Sequence, residues 1–494
     1  MKKIILACMS LFAFIACQPP APQGKEGFAI VKGKILSGDI KEVRFEYIND
    51  NPITRKGISH IAKVDSASNF QIEIPVNGLA TGRIRSGNFH HDICLMSKDN
   101  FSISIDADTI QFTGRGAEKN NFMYELEKAK LWNRNFYAPS NNGKLNLEEF
   151  LPKMEELKKK RLDFLSAYPN KAKLSEEFQS FFKIDTQVKF ENIVCNYPRR
   201  YSYSAKKPLD SLDIPEAYTT IGLLSNRIHD DKIQSKDYIG DLRNYLFQKR
   251  KDVMKADTSL SYDEAWDVLV YDSIKGKSQE YLMAAIINSR YDFGQPDSVT
   301  LDKFMKMKTD SLSLKTVLAA KNKHEEKQAL IGQPLHAEFA ETIVIDTAGV
   351  EHKFGDIMAQ HAGKAVYLDI WSLGCGPCRV AMPYSKILKE KLDGLPVSFV
   401  YLTLDQCKGD NCEKVWKNVF DLTKTKHNQF RVKEGFNNRL YRHMNVNWVP
   451  VYMIFDKEGK LVDYDAPRPS RAVEKGETEL EKQLRKLANE GEPA

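Results

Sequence analysis

Trp371-Ser372-Leu373-Gly374-Cys375-Gly376-Pro377-Cys378 is the stretch on which the reading of this chain turns. It follows the apolar run Ala365-Val366-Tyr367-Leu368 and precedes a helical pattern, so its two cysteines sit where a strand hands over to a helix. At a helix start the first backbone N–H groups lack intrahelical acceptors and the dipole is positive, and both effects favour a thiolate. Cys375 should therefore lose its proton more readily than a free cysteine, and the thiolate is the form that attacks a disulfide. Cys378 lies one turn further on, expected to be more buried and placed to resolve a mixed disulfide by closing a Cys375–Cys378 bridge. The pair reads as a two-electron switch.

Half of a zinc site is the competing reading. The other close pair, Cys407 and Cys412, has a four-residue gap on a predicted loop after another strand, so the redox dithiol is favoured and no metal is expected. Around the cysteines, Asp369-Ile370-Trp371-Ser372-Leu373-Gly374-Cys375-Gly376-Pro377-Cys378 resembles the active site of thioredoxin-fold oxidoreductases, including the Cys-Gly-Pro-Cys tetrapeptide. The resemblance implies that Asp369 is a buried acid at the end of the central strand, assisting proton transfer from the second cysteine. It implies that Pro383 kinks the active-site helix. Val449-Pro450, ahead of the strand Val451-Tyr452-Met453-Ile454-Phe455, matches the cis-proline loop that faces the dithiol and helps bind substrate, together with Trp371, Gly376 and Pro377. No cofactor is implied.

The chain opens on Met1-Lys2-Lys3, and residues 4–16 are apolar except for Ser10, too short a run to span a bilayer. Phe14-Ile15-Ala16-Cys17 resembles a bacterial lipoprotein box. Residues 1–16 are then a signal peptide, Cys17 the lipidated first residue, and the Pro-rich residues 17–27 a solvated tether. A plain signal peptide cut nearby is the runner-up. No later run is long enough for a transmembrane helix, so the lipid is expected to be the anchor, on a bacterial membrane facing the periplasm or the outside.

With 494 residues and a prior of about 150 per domain, three domains are expected, and 42% apolar content suffices for real cores. A net charge of +7 is mild at this length. The densest basic run, Lys158-Lys159-Lys160-Arg161, follows Glu155-Glu156 in a helical pattern and reads as a solvated helix face, so no nucleic-acid partner is expected. Export into an oxidising space allows a local structural disulfide between Cys407 and Cys412. Cys94 follows His90-His91-Asp92, read as an exposed strand end and not as a metal site, and Cys195 reads as a small core residue.

Residues 28–116 alternate apolar and polar side chains, as in Phe28-Ala29-Ile30-Val31 and Phe101-Ser102-Ile103-Ser104-Ile105, and predict a small antiparallel β-sandwich. This portion resembles a β-rich domain of unassigned function found ahead of thioredoxin modules in lipoproteins of Bacteroidota. Residues 117–327 turn to helical periodicity, with Phe150, Met154, Leu157, Arg161 and Phe164 on one face. Residues 328–494 alternate strands and helices in α/β layering and resemble the TlpA-like branch of membrane-tethered thioredoxin-fold proteins.

The expected function is an exported, lipid-anchored thiol–disulfide oxidoreductase. Gly376-Pro377 resembles the dipeptide of reducing thioredoxins, whose potential is about −270 mV, so protein disulfides of exported proteins are the expected substrates. A membrane electron donor is then required. The alternatives are a cell-envelope interaction lipoprotein with accessory redox activity, and a thiol peroxidase, whose nearby Thr and Arg around the cysteine are not seen in this sequence.

Overall fold

The computed structural model describes residues 25–489 apart from 55, 88, 108, 142, 261, 308, 406–409, 424–427, 436–445 and 447. Cys17, the signal peptide and Cys407 lie outside the described residues. The chain divides into two compact units, residues 1–286 with 299–316, and residues 287–298 with 317–494. No described helix is long and apolar enough to cross a membrane.

In the first unit eight strands follow one another: β1 (Phe28–Ile35), β2 (Glu42–Asn49), β3 (Ile58–Lys63), β4 (Asn69–Pro75), β5 (Leu79–Ser86), β6 (Phe89–Met96), β7 (Asn100–Asp106) and β8 (Thr109–Arg115). They form two four-stranded sheets, ordered β4-β1-β7-β8 and β3-β2-β5-β6. Alternation sends Val31, Ile74 and Phe101 of one sheet and Val43, Phe45 and Ile93 of the other into a single core. The expectation of purely antiparallel pairing fails at one place: β1 and β7 run parallel, from Ile30 opposite Asn100 to Ile35 opposite Ile105. Alternation is the same for either direction, and here the direction is set by how β7 enters from β6 in the other sheet.

Of the His90-His91-Asp92 cluster only His90, second residue of β6, is an exposed strand end. The two residues after it turn inward or half inward: buried His91 meets Glu127 at 2.8 Å and half-buried Asp92 accepts the Trp132 indole N–H at 2.7 Å. Helix Glu118–Lys128 docks on this strand through Asn120, which accepts the Cys94 N–H at 2.8 Å and donates to the Cys94 carbonyl at 3.0 Å. Cys94 is fully buried as a result, and burial pushes its thiol up to about 12.

Helix Leu147–Ala167 starts at Asn146, whose side chain accepts the Glu149 N–H, and helix Glu176–Ala205 starts at Ser175, which accepts the Phe178 N–H. They pack through Phe150, Met154, Val194 and Tyr197. The basic run is solvated only in part: Lys159 and Lys160 are exposed, whereas Arg161 is completely buried. Arg161 shares the inward face of Phe150 and Met154 at helical spacing, and position on the helix overrides charge. Further helices cover Tyr238–Ala256, Gly276–Asp292 and Ser311–Gln328.

The second unit is built on β9 (Ile343–Ile345), β10 (Glu351–Lys353), β11 (Ala365–Trp371), β12 (Val397–Thr403), β13 (Gln429–Val432), β14 (Val451–Phe455) and β15 (Leu461–Asp463). These make one seven-stranded sheet in the order β10-β9-β13-β12-β11-β14-β15. All seven residues of β11 are buried, six of them apolar or aromatic and Asp369 the exception, as in a strand covered on both faces. Val366, Leu368 and Ile370 face one core, while Ala365, Tyr367 and Trp371 face another that includes Met382 and Leu388 of helix Gly376–Lys391 and Leu484 of helix Glu479–Asn489.

Candidate active site

β11 lies between β12, to which it is parallel, and β14, to which it is antiparallel. Beyond Trp371 the chain turns, with the Cys375 N–H bonded to the Ser372 carbonyl at 3.0 Å. The turn is held from outside by Asp405, whose carboxylate accepts the Leu373 N–H at 2.5 Å and the Thr403 hydroxyl at 2.9 Å. Helix Gly376–Lys391 then begins with Cys375 as its N-cap. The Cys375 Sγ accepts the Cys378 N–H at 3.1 Å, the place a serine or aspartate oxygen takes in ordinary helices. Pro377 stands in the first turn, where its missing N–H leaves no acceptor unsatisfied.

Cys375 and Cys378 are joined in a disulfide, with Cα atoms 5.3 Å apart. Cys375 is 8% exposed and Cys378 0%. Gly376 and Pro377 are exposed, and nothing lies within 4 Å of where a side chain would begin on Gly374 or Gly376. An incoming chain thus finds open backbone beside the outer sulfur, while the inner one is shielded. The Val449–Pro450 peptide is cis, and Val449 packs against the core that contains both sulfurs. Trp371, expected at the substrate, is completely buried in that same core. Pro383 stands inside the helix on its exposed side.

Asp369 sits two residues before the end of β11, opposite Tyr401 on one neighbour and Tyr452 on the other. By the period of two along the strand it shares the face of Tyr367 and Trp371, the face that packs with the disulfide. It is 2% exposed and its Oδ1 has no hydrogen-bond partner, so burial pushes its carboxyl up to about 8. A carboxyl in this condition exchanges protons near neutral pH.

Residues 363–461 match the family described as thioredoxin-like. This segment of the chain is a thioredoxin-like domain. Over 121 residues the chain is 27% identical to the thiol-disulfide oxidoreductase ResA of Bacillus thuringiensis and, equally, to that of Bacillus anthracis, covering 24% of this chain. It spans 63% of the length of those relatives. Among solved structures, the thioredoxin domain of a Bacteroides vulgatus thiol-disulfide oxidoreductase is 20% identical, with a TM-score of 0.25, covering 31% of this chain and 99% of that one. A thiol:disulfide interchange protein from a Bacteroides species is 21% identical, also with a TM-score of 0.25, covering 31% and 88%.

The structure brings Trp371, Cys375, Cys378 and Val449 of the thioredoxin-like domain into one cluster, and Asp369 lies on the strand face that this cluster covers. Asp405 was not singled out from the sequence as part of the site. Its one local signal is a carboxylate two residues beyond the end of an apolar strand, which is common in any α/β protein. The expected Cys407–Cys412 bridge falls on Cys407 and so lies outside the described residues.

Proposed function

We propose that this chain is an exported thiol–disulfide oxidoreductase that reduces disulfides in other exported proteins. The observation that carries the reading is Cys375 itself, bridged to Cys378 and receiving that residue's N–H at the head of a helix. In the reduced protein the same N–H and the helix dipole would stabilise the Cys375 thiolate. The thiolate attacks one sulfur of a substrate disulfide, and the other substrate sulfur leaves as a thiolate that takes up a proton. Cys378, giving its proton to Asp369 in its ionised form, then attacks Cys375 Sγ. This closes the bridge observed in the structure and frees the second substrate thiol, so two electrons pass from the dithiol to the substrate.

The reducing direction rests on Gly376-Pro377, and it requires a membrane electron donor to restore the dithiol. Anchoring through lipidated Cys17 rests on the leader and on the Phe14-Ile15-Ala16-Cys17 box. Insulin reduction by the full chain, with an external dithiol as donor, tests the reading. Turnover that vanishes in Cys375→Ser supports it, and equal turnover by the variant rejects it. A measured Cys375–Cys378 potential near the roughly −120 mV of disulfide-donating enzymes would reverse the direction and leave the chemistry standing.

A further inference from the structure

Away from the dithiol, the first compact unit holds a cavity of about 280 Å³ between the β5–β6 strands and helix Glu176–Ala205. Its apolar wall is aromatic, formed by Trp132, Phe178, Phe181 and Phe182. A second hollow of about 340 Å³ shares Thr81, Phe181 and Lys236 with it. The two together fall within the size range of small-molecule pockets, about 300–1,000 Å³.

The wall carries Arg83, Lys189 and Lys236 against Asp92 and Asp185, with Asp237 behind Lys189, so among the described residues buried Arg161 is the one cation in excess around the cavity. Arg83 in its wall is paired with Asp92, and Lys189 with both Asp185 and Asp237. Lys236, half-buried in the wall, makes neither an ion pair nor a hydrogen bond with another described residue, and burial disfavours its charged form. The Thr81 hydroxyl in the same wall is buried without a partner. Behind Trp132 and Phe182 lies Arg161, whose guanidinium bonds only neutral groups, the Leu131 carbonyl at 2.9 Å, Thr186 Oγ1 at 3.3 Å and Asn133 Oδ1 at 3.5 Å. One of its terminal nitrogens is buried with no partner at all. An unpaired buried cation costs several kcal/mol, and folds keep such a burden where a ligand relieves it.

We infer that this cavity binds a small organic anion, an aromatic carboxylate whose charged group meets Lys236 and Thr81 and whose ring lies among Trp132, Phe178, Phe181 and Phe182. The aromatic wall supplies affinity through area, and the unpaired amine and hydroxyl select the carboxylate over a neutral isostere. Arg161, one layer behind, adds positive potential without contact.

Calorimetric titration of the full chain with 4-phenylbutanoate, its primary amide, the corresponding amine and acetate tests this. The acid is expected to bind at least about tenfold more tightly than the amide, the step that one charge-assisted hydrogen bond supplies, with weaker binding still for the amine and for acetate. Lys236→Met should erase the preference for acid over amide while raising the melting temperature of the unliganded protein, and Lys236→Arg should keep the preference. Thr81→Val, in which the backbone is unchanged, should weaken the acid alone. Equal affinity for acid and amide, equal affinity for acetate, no binding of any probe at millimolar concentration, or an unchanged preference in Lys236→Met would each overturn the inference. Insulin reduction is not expected to change in these variants, so failure here is distinguishable from failure of the redox reading.

Discussion

Cys378 donates its backbone N–H to the Sγ of Cys375 at 3.1 Å, which makes the outer cysteine the cap of the helix that carries the inner one. One sulfur therefore serves both the folding of the helix and the chemistry proposed for it. The arrangement explains why the four residues from Cys375 to Cys378 act as a unit: the cap requires position three of the helix to be within reach of the cap side chain, and a disulfide requires the same proximity.

Separating the two roles gives the first prediction. Cys375→Ser keeps an oxygen acceptor for the Cys378 N–H, so reduced-state stability should change by less than about 0.5 kcal/mol, whereas Cys375→Ala should lose about 1 kcal/mol. Both should abolish insulin reduction. Cys378→Ser should instead accumulate a mixed disulfide between Cys375 and substrate, seen by intact-mass measurement. If the adduct forms on Cys378 in Cys375→Ser and not in the converse variant, the roles are reversed.

Asp369 predicts a pH dependence. Its folded carboxyl titrates near 8, against about 3.8 when unfolded, so between those values the folded protein holds a proton that the unfolded chain has released. Stability should therefore fall as pH rises through that window, by up to about 1.4 kcal/mol per pH unit, and level off above it. Urea unfolding of the oxidised protein, in which the two cysteines do not titrate, reads this directly. Asp369→Asn should flatten the slope and stabilise the protein at pH 7, while slowing turnover about tenfold or more. A slope unchanged in the variant would remove Asp369 as its source.

Asp405 holds the turn ahead of the dithiol through the Leu373 N–H. Asp405→Ala leaves that donor without its acceptor and should cost about 1–2 kcal/mol in stability. Because the turn sets where Cys375 stands, kcat for insulin reduction should drop more than KM rises. Asp405→Asn, which keeps an acceptor oxygen, should recover most of both. Steady-state kinetics on the two variants decides between a positioning role and a merely structural one.

In the first unit, Asn120 satisfies both backbone groups of Cys94 in a fully buried setting. Asn120→Ala strands a donor and an acceptor at once and should destabilise that unit by about 2–6 kcal/mol, each buried unsatisfied group costing about 1–3 kcal/mol. Denaturation followed by tryptophan fluorescence measures it. Asn120→Asp, which keeps the acceptor but turns a second carboxylate oxygen on the Cys94 carbonyl in a buried site, should also destabilise the unit, and more at neutral pH than in acid.

The dithiol was legible in the sequence because its parts are local. Cap, proline and both sulfurs lie within one helical turn, and the strand before them announces itself by an apolar run broken only at Asp369. Asp369 and Pro450 were legible only through the resemblance to the thioredoxin-fold active site. The first strand, Phe28–Ile35, was legible through alternation, whereas β5 and β6 were not, since Gly82, Arg83, Arg85 and the histidines of β6 break the pattern.

Sequence alone thus determined the redox tetrapeptide, the strand-to-helix setting that presents it, and the change from β to helical to α/β character along the chain. Tertiary structure alone decided that β7 runs parallel to β1, that Asp405 reaches back over 32 residues to Leu373, and that Trp371 is buried. It alone showed that Lys236 lines a cavity without an ion pair of its own, and that Arg161, behind that cavity's aromatic wall, hydrogen-bonds only neutral groups. Helix caps and short covalent loops follow from residue types a few positions apart. Strand direction, burial and the partner of a charge depend on which distant segments pack together, and a period of two or 3.6 says which face of an element is apolar without naming what covers it.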